Sequence, residues 1–291
     1  MKTYVVIHNK NSRGRNLNED YINKLFESNN LKHIYIATNS LDELNQTIEM
    51  YNDSSVYQYC TIGGDGSLNS LINALMFNNI SNPEVSVLPA GSGSDFIRTF
   101  AIPQNIENAI KHLITENYYE VDIGFVKNQN IEKYFINVLN IGFLADSVET
   151  SEKFPKIFKK FRYPISFWLR IINASATKTH IDTDRGEFNN TAFNISVCNA
   201  QYFGGGWNIS PKSSLQDGLF NVQIFAVTKL KAMKIFFLAK KGLHLREPSV
   251  VVKKTSNIKL MTDHAIEIDG DYFGHGPAEI FIKKGAIRFK I

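Results

Sequence analysis

Residues 61–70 read Thr-Ile-Gly-Gly-Asp-Gly-Ser-Leu-Asn-Ser, a glycine-rich turn that stands between a short apolar run and a helical pattern. A strand, a glycine turn and a helix in this order point free backbone N–H groups and a helix N-terminus at an anion. Asp65 adds a carboxylate where Mg²⁺ would accompany a bound phosphate. Taken alone, the pattern is equally typical of an ordinary strand-to-helix turn in which Asp65 caps the helix.

A second small-residue loop, Leu88–Phe96, also follows an apolar run and opens a helix. Two such loops on consecutive strands favour a polyphosphate site more strongly than one, and the hydroxyls of Ser67 and Ser92 would add donors. The polar turn 8–15 after the first apolar run carries one lysine and two arginines that would neutralise phosphate charge. A solvated basic loop is the alternative interpretation of that turn.

The first 120 or so residues alternate between strand and helix patterns. Strands are predicted at 3–8, 33–37, 56–62 and 85–88, and helices at 16–28, 41–50, 68–77 and 106–114. Repeated units of this kind predict a parallel sheet covered by helices on both faces. In such sheets ligands bind at the carboxyl ends of the strands, and each glycine loop directly follows the carboxyl end of a predicted strand.

After about residue 118 the pattern changes to short strands separated by turn residues. These strands are predicted at 120–126, 134–140, 178–182, 192–199, 219–226, 257–261, 264–268, 278–283 and 286–291, with helices at 156–174 and 230–240. This spacing predicts an antiparallel sandwich or barrel. The expected fold class is α/β plus β: a parallel-sheet nucleotide-binding domain at 1–122, a mainly antiparallel β-sandwich domain at 123–291, and a cleft between them.

Composition narrows the classes of protein that fit. The 291 residues are 43% hydrophobic and 21% charged, with a net charge of +4, so nucleic-acid binding is not implied by charge. Cys60 and Cys198 lack a CxxC partner, which leaves zinc unsupported and favours a reducing compartment. No window approaches the length of uncharged apolar sequence that a membrane span needs. We therefore expect a cytoplasmic protein that is peripheral to the membrane.

Several motifs together resemble one family. The segment from Gly63 to Asn69 resembles the signature of diacylglycerol and sphingosine kinases and their bacterial lipid-kinase relatives. Leu88–Arg98 is similar to the family's Leu-Pro-x-Gly-Thr-x-Asn-Asp-Phe-Ala-Arg segment, and Asn9–Arg13 resembles its Asn-Pro-x-Ser-Gly loop. Segments 140–145, 216–220 and 268–271 follow in the family's order. The resemblance covers nearly the whole chain.

The resemblance implies a set of site residues. The implied nucleotide contacts are Asn9, Lys10, Asn11, Ser12, Arg13, Thr38, Gly63, Gly64, Asp65, Gly66, Ser67, Leu68, Asn69 and Ser92. The family's catalytic carboxylate falls on Asp271, where this chain has Asp-Gly-Asp at 269–271 in place of Asp-Gly-Glu. Asp271 would accept the proton of the acceptor hydroxyl, and Asp65 would orient Mg²⁺. The metal site of the bacterial members falls on Ser214, Asp217 and the backbone oxygen of Leu219.

The implied function is an ATP- and Mg²⁺-dependent lipid kinase acting on a hydroxyl of a membrane-derived lipid, with diacylglycerol, giving phosphatidic acid, as the default substrate. A kinase of the NAD kinase type shares the Gly-Gly-Asp-Gly turn and is one alternative. A weakly catalytic nucleotide- or lipid-binding protein is the other, suggested by departures from the family pattern at Lys10, Arg13, Ser94 and Asp271.

The expected partners are a lipid substrate and a peripheral membrane surface, with no nucleic acid, and a homodimer is left open. The segment 154–170 is both aromatic and basic, which suits a membrane interface or the mouth of a lipid pocket. A core-facing amphipathic helix with a solvated basic face is the alternative interpretation.

Overall fold

The computed structural model describes residues 2–10, 17–91 and 94–291, and the chain divides into two compact units. Unit 1 comprises Met1–Ile123 and Lys284–Ile291, and unit 2 comprises Gly124–Lys283. The predicted division placed residues 284–291 with the second domain, and the structure corrects this. These residues belong to unit 1 because Arg288 and Phe289 pair in parallel with Glu84 and Val85.

Unit 1 is built on four parallel strands, β1 (Thr3–Asn9), β2 (His33–Thr38), β3 (Tyr57–Gly63) and β4 (Glu84–Pro89), in the order β2-β1-β3-β4. Its helices are α1 (Glu19–Ser28), α2 (Leu41–Met50), α3 (Asp65–Phe77), α4 (Asp95–Arg98) and α5 (Ile106–Ala109). A 3-10 helix, Ile110–Leu113, continues α5 where one longer helix was predicted. All of β4 is buried, as expected for a parallel strand covered on both faces.

Unit 2 contains two antiparallel sheets. One holds β6 (Glu132–Phe135), β8 (Thr177–Thr183), β9 (Phe188–Ala192) and β13 (Asn257–Leu260), with the unit 2 parts of β5 (Tyr118–Lys127) and β16 (Ala278–Lys290). The other holds β7 (Val138–Gly142), β10 (Asn194–Cys198), β11 (Phe220–Phe225), β12 (Val250–Thr255), β14 (Ala265–Ile268) and β15 (Asp271–His275), in the order β12-β11-β10-β7-β14-β15. Buried side chains from both sheets, including Phe135 and Ile195, form one core. The predicted fold class, α/β followed by a β sandwich, is confirmed for the two units.

Three helices cover the second face of the β7-containing sheet: α6 (Phe143–Glu152), α7 (Arg162–Asn173) and α8 (Lys229–Ala239). Shorter 3-10 helices lie at Lys156–Phe161 and Leu243–Arg246. Helix α6 was not predicted, because Gly142 with φ of 94° turns β7 directly into the helix without a loop. In the ranges 2–10, 17–91 and 94–291, no helix combines the length and the apolar character needed to cross a membrane.

Some predicted strands have different bounds in the structure. The run 192–199 is two strands, because the chain leaves the pairing of β9 with β8 and joins β11 through β10. The runs 278–283 and 286–291 are one strand, β16, in which Gly285 takes a φ of 56°. Strands β12 and β15 were not predicted at all.

Candidate active site

An open pocket in unit 1 lies at the carboxyl ends of β1, β2 and β3. It has about 550 Å³ of empty space and is lined by Ile7, Asn9, Thr38, Asn39, Ser40, Leu41, Leu44, Thr61, Ser67, Ser70 and Leu71. The pairing of β1 with β2 places Asn9 opposite Thr38. Three of the predicted nucleotide contacts, Asn9, Thr38 and Ser67, are therefore brought together in one pocket.

The glycine turn ends in the N-terminus of α3. Gly64 is the N-cap of this helix and provides no side chain, so the first-turn N–H groups have no side-chain cap. A Cβ atom added to Gly66 would meet nothing within 4 Å, which leaves the backbone open to a bound group. A Cβ at Gly63 would overlap the side chain of Ser67, so this position requires glycine.

The two glycine loops contact each other through their backbones. The Ala90 N–H donates to the Gly63 carbonyl at 3.0 Å. A Cβ at Gly91 would lie 2.6 Å from the backbone of Gly64. Such a close approach needs glycine at position 91 and fixes the second loop against the first.

Asp65 joins the first loop to the helix that follows the second. Its Oδ2 accepts a hydrogen bond from the Asp95 N–H at 2.8 Å, and its Oδ1 accepts one from the Phe96 N–H at 3.0 Å. Asp65 therefore caps a helix, but the helix is α4 and not the α3 that the sequence alone suggested. Burial raises the pKa of Asp65 against the opposing effect of the two N–H donors, and the nearby Asp95 raises it further.

The predicted nucleotide contacts Leu68, Asn69 and Lys10 do not line the pocket of unit 1. Leu68 is a core residue, 1% exposed, and its N–H donates to the Gly64 carbonyl inside the helix. Asn69 is also buried, and the Lys10 ammonium lies 5.9 Å from the centre of the Tyr35 ring. Asn11, Ser12, Arg13 and Ser92 lie outside the described residues.

The candidate base, Asp271, lies in unit 2 at the start of β15. Its side chain is 73% exposed, and its Oδ2 is 3.5 Å from the Lys133 ammonium. The preceding Asp269 anchors the turn, because its carboxylate accepts hydrogen bonds from the N–H groups of Ile136, Asn137 and Val138 at 2.7, 2.8 and 3.1 Å. The turn thus presents Asp271 to solvent on a fixed backbone.

Sequence reasoning missed a second carboxylate beside this turn, Glu267 on β14. It is 5% exposed; its Oε2 accepts from Asn140 Nδ2 at 2.7 Å and its Oε1 from the Gly270 N–H. Burial, with repulsion from Asp269 and Asp271, raises the pKa of Glu267 to about 7. Between two isoleucines, a glutamate looks solvent-facing in the sequence, and only the unpredicted helix α6 reveals that this face is covered.

The predicted metal residues share one turn of unit 2. Asp217 Oδ1 accepts from the Leu219 N–H at 3.1 Å, and the Ser214 hydroxyl oxygen accepts from the Gln216 N–H at 3.3 Å. Asp217 Oδ2 pairs with the Lys254 ammonium at 2.7 Å, which a metal ion would have to displace. Within the described ranges, no group of three or more His, Cys, Asp and Glu residues is arranged to hold a metal. The metal site stays a prediction.

A second pocket, within unit 2, is almost entirely apolar. It is partly open to solvent and is bounded by side chains of α6, α7 and α8, among them Phe143, Phe167, Met233 and Phe236. The polar residues that line it within the described chain are Asn194 and Ser196. Such a wall suits a hydrocarbon chain.

Comparison with known proteins adds independent findings. Residues 3–126 match the family model described as the diacylglycerol kinase catalytic domain, and residues 137–290 match the YegS C-terminal NAD kinase beta sandwich-like domain. Proteins named diacylglycerol kinase from Staphylococcus aureus strains bovine RF122 / ET3-1 and JH9 are each 31% identical over 220 residues, which cover 74% of this chain and 68% of theirs.

Solved structures from Bacillus anthracis str. Sterne share the fold. One has a TM-score of 0.80 at 22% identity and covers 99% of this chain and 95% of its own. A crystal structure of a diacylglycerol kinase has a TM-score of 0.72 at 18% identity, with 99% and 96% covered. The relatives and the family models show the family. These distant structures show only the fold. The chain belongs to the diacylglycerol kinase family and is an enzyme, as its ordered motifs indicate.

Proposed function

We propose that this enzyme is an ATP- and Mg²⁺-dependent lipid kinase that phosphorylates the hydroxyl of diacylglycerol to give phosphatidic acid. The observation that carries the proposal is the apolar pocket of unit 2 in a chain of this family. The Staphylococcus aureus relatives bear the name diacylglycerol kinase, which supports the same acceptor.

The chemistry of the pocket favours a lipid over NAD as the acceptor. Burying an acyl chain gains about 0.8 kcal/mol per methylene, so six methylenes would supply about 5 kcal/mol. A ribose or a pyrophosphate would instead need polar partners. Asn194 and Ser196, the polar lining residues, are hydrogen-bonded to each other and to Asn140 inside the protein.

The phosphates of ATP are proposed to bind in unit 1. The open N-terminus of α3 favours negative charge, and the pocket that contains Asn9, Thr38 and Ser67 provides polar side chains. Each carboxylate oxygen of Asp65 accepts one backbone N–H and keeps a lone pair, which suits orientation of Mg²⁺ or of its bound water. Bound Mg²⁺ would neutralise phosphate charge during transfer.

Asp271 is proposed as the general base. Its exposed carboxylate is free to approach an acceptor hydroxyl, while Asp269 holds the turn through three backbone N–H groups. The Lys133 ammonium lies 3.5 Å from one oxygen of this carboxylate. We also propose a metal site formed by Ser214, Asp217 and Leu219. The Lys254 ammonium has to leave Asp217 before a metal ion binds there.

We also propose that helices α7 and α8 rest on an anionic membrane. Large apolar side chains are exposed there, among them Trp168, Ile172, Leu230 and Phe237, and Ile157 is exposed in the 3-10 helix before α7. Trp168 and Phe237 also line the apolar pocket, which suits a mouth that opens toward lipid. The Lys229 ammonium, which donates to the Ile172 carbonyl at 2.7 Å, adds positive charge beside this surface.

The lipid proposal is tested with radiolabelled ATP and Mg²⁺ over diacylglycerol, sphingosine, ceramide and NAD. Labelled phosphatidic acid is the expected product, and its formation should need Mg²⁺. Ala232→Trp fills the apolar pocket, so KM for a long-chain diacylglycerol should rise about tenfold, as expected for a lost contact of about 1.4 kcal/mol. KM for ATP should stay unchanged.

Ala226→Trp is the matched control, because Ala226 is exposed in the same unit. NADP formation, or ATP binding without turnover of any lipid, would replace the proposal with the corresponding alternative. An Ala232→Trp enzyme with unchanged kinetics on every chain length would remove the pocket from the acceptor site.

The membrane proposal is tested by sedimentation with vesicles that contain anionic phospholipid. The double variant Ile172→Ser, Leu230→Ser removes two exposed side chains outside the pocket, which are 64% and 79% exposed. Binding should weaken about tenfold or more, since partial burial of each side chain contributes on the order of 1 kcal/mol. Leu41→Ser, a comparable exposed position in unit 1, should bind as wild type. Equal binding of all three proteins would contradict the proposal.

A further inference from the structure

Four buried polar side chains on the helix-covered face of the β7-containing sheet are joined to one another by hydrogen bonds. They are Asn140, Asn194, Ser196 and Glu267, each at most 5% exposed. The alternation of the strands explains their common face, because Ile195, Ile266 and Ile268 point to the sandwich core instead. Buried polar groups cost free energy unless they are fully paired, so this cluster is not a by-product of packing.

The cluster forms one continuous chain of hydrogen bonds. The Ser196 hydroxyl donates to Asn140 Oδ1 at 2.6 Å, and Asn194 Nδ2 donates to the same oxygen at 3.2 Å and to Ser196 Oγ at 3.1 Å. Asn140 Nδ2 then donates to Glu267 Oε2 at 2.7 Å. The other oxygen of Glu267 accepts the Gly270 N–H.

The two ends of this chain lie at the two features that the proposed reaction uses. Asn194 and Ser196 line the apolar pocket. Gly270 is the central residue of the turn that presents Asp271, with φ of 96°. Asn140 and Glu267 together therefore connect the wall of the pocket to the turn that presents the candidate base.

We propose that Glu267 is a positioning residue that fixes the Asp271 turn and couples its geometry to occupancy of the apolar pocket. The inference rests on the proposed function, since it assigns the pocket to an acyl chain and Asp271 to proton transfer. An acyl chain that presses on Asn194 and Ser196 changes the hydrogen bonds to Asn140. The change passes through Glu267 to the Gly270 N–H, so the base is held firmly when lipid is present.

The ionisation of Glu267 gives this coupling a pH dependence. Its charged neighbours are Asp269 and Asp271 on the same hairpin, and the Tyr163 phenol interacts with it from α7. Of the three acids of α6, Asp146 pairs with Arg170, Glu149 pairs with Lys153, and Glu152 is exposed at the end of the helix. The raised pKa of Glu267, about 7, means that its ionised form gains population as pH rises through 7. The ionised carboxylate makes the stronger hydrogen bonds, so the turn is best held at higher pH.

The first test replaces the carboxylate with an amide, Glu267→Gln. We expect kcat on diacylglycerol to fall about tenfold with KM for ATP within about twofold, because the turn is loosened and the nucleotide site is untouched. The wild-type rise of kcat with pH through 7 should be absent from the variant. Glu279→Gln is the control, since Glu279 is an exposed carboxylate of the same unit, paired with Lys127.

The second test does not use turnover. Hydrogen exchange of the Gly270 amide is followed by NMR with and without dioctanoylglycerol. Wild-type and Glu279→Gln proteins should exchange about tenfold more slowly when this lipid is bound, and Glu267→Gln should show no such slowing. Ser196→Ala keeps Glu267 but removes the shorter of the two hydrogen bonds from the pocket wall to Asn140, so it should weaken the slowing.

The outcomes separate the two proposals. Wild-type protein that slows Gly270 exchange on lipid binding but phosphorylates no lipid would refute the function and keep the coupling. Wild-type kinetics and wild-type exchange in Glu267→Gln would overturn the positioning role and leave the function standing. If Glu267→Gln does not fold, hydrogen exchange of the Gly270 amide in Ser196→Ala tests the coupling instead. Lipid-dependent slowing equal to that of the wild type in Ser196→Ala would refute the coupling.

Discussion

Asp271→Asn is expected to lower kcat on the best lipid substrate by about 100-fold or more while KM for ATP changes less than about twofold. An amide has nearly the shape of the carboxylate but cannot accept the proton of the attacking hydroxyl. Because the Asp271 side chain is 73% exposed, the substitution leaves the buried core unchanged. Steady-state kinetics with ATP and lipid varied separately measure both constants.

Asp263→Asn is the matched control, because Asp263 is a 76% exposed aspartate of the same unit that pairs with His275. Asp271→Glu restores the residue of the family pattern and should retain activity or increase it. Near-normal kcat in Asp271→Asn would show that the base lies elsewhere, and Asp65 would become the candidate.

Asp65→Asn should produce the second large effect, a rise of about tenfold in KM for ATP and a fall of about tenfold in kcat. Asp65 holds the N–H groups of Asp95 and Phe96, and an amide can accept only one of them while its NH₂ opposes the other. The loss of one such hydrogen bond should also cost about 1–3 kcal/mol of unfolding free energy. Kinetics and thermal unfolding of the same preparation measure the two effects together.

Asp53→Asn is the control for this substitution. Asp53 also accepts hydrogen bonds from a backbone N–H and a hydroxyl, both of Ser55, but it is exposed. A stability loss in Asp65→Asn without a change in KM for ATP would reduce Asp65 to a structural cap. Unchanged stability with a raised requirement for Mg²⁺ would instead assign it mainly to the metal.

Much of unit 1 follows from its sequence because its signals are local. Helix α2, Leu41–Met50, has its predicted bounds, since Ser40 caps it through a hydrogen bond to the Glu43 N–H. The glycine turn was also recognisable, because the chemistry of a strand, a turn and a helix is contained within a few residues. The hydrogen bonds of Asp65 could not be predicted in this way, because Asp95 and Phe96 come near it only when β3 and β4 pair.

Unit 2 was harder to predict because its decisive contacts are distant in sequence. Nothing near Phe193 indicates that the chain changes sheets there, and the pairing partners that cause it belong to β8 and β11. Glu267 could not be recognised for the same reason. Its burial depends on α6, and its partner Asn140 is 127 positions away.

Strand β16 has a consequence for how the gene can be dissected. The segment Lys284–Ile291 forms part of unit 1, yet it leaves the ribosome only after all of unit 2 has been made. A fragment that stops at Ile123 would therefore leave β4 as an unpaired edge, the kind of strand that invites aggregation. Unit 1 is therefore completed last during synthesis, after all of unit 2 has been made.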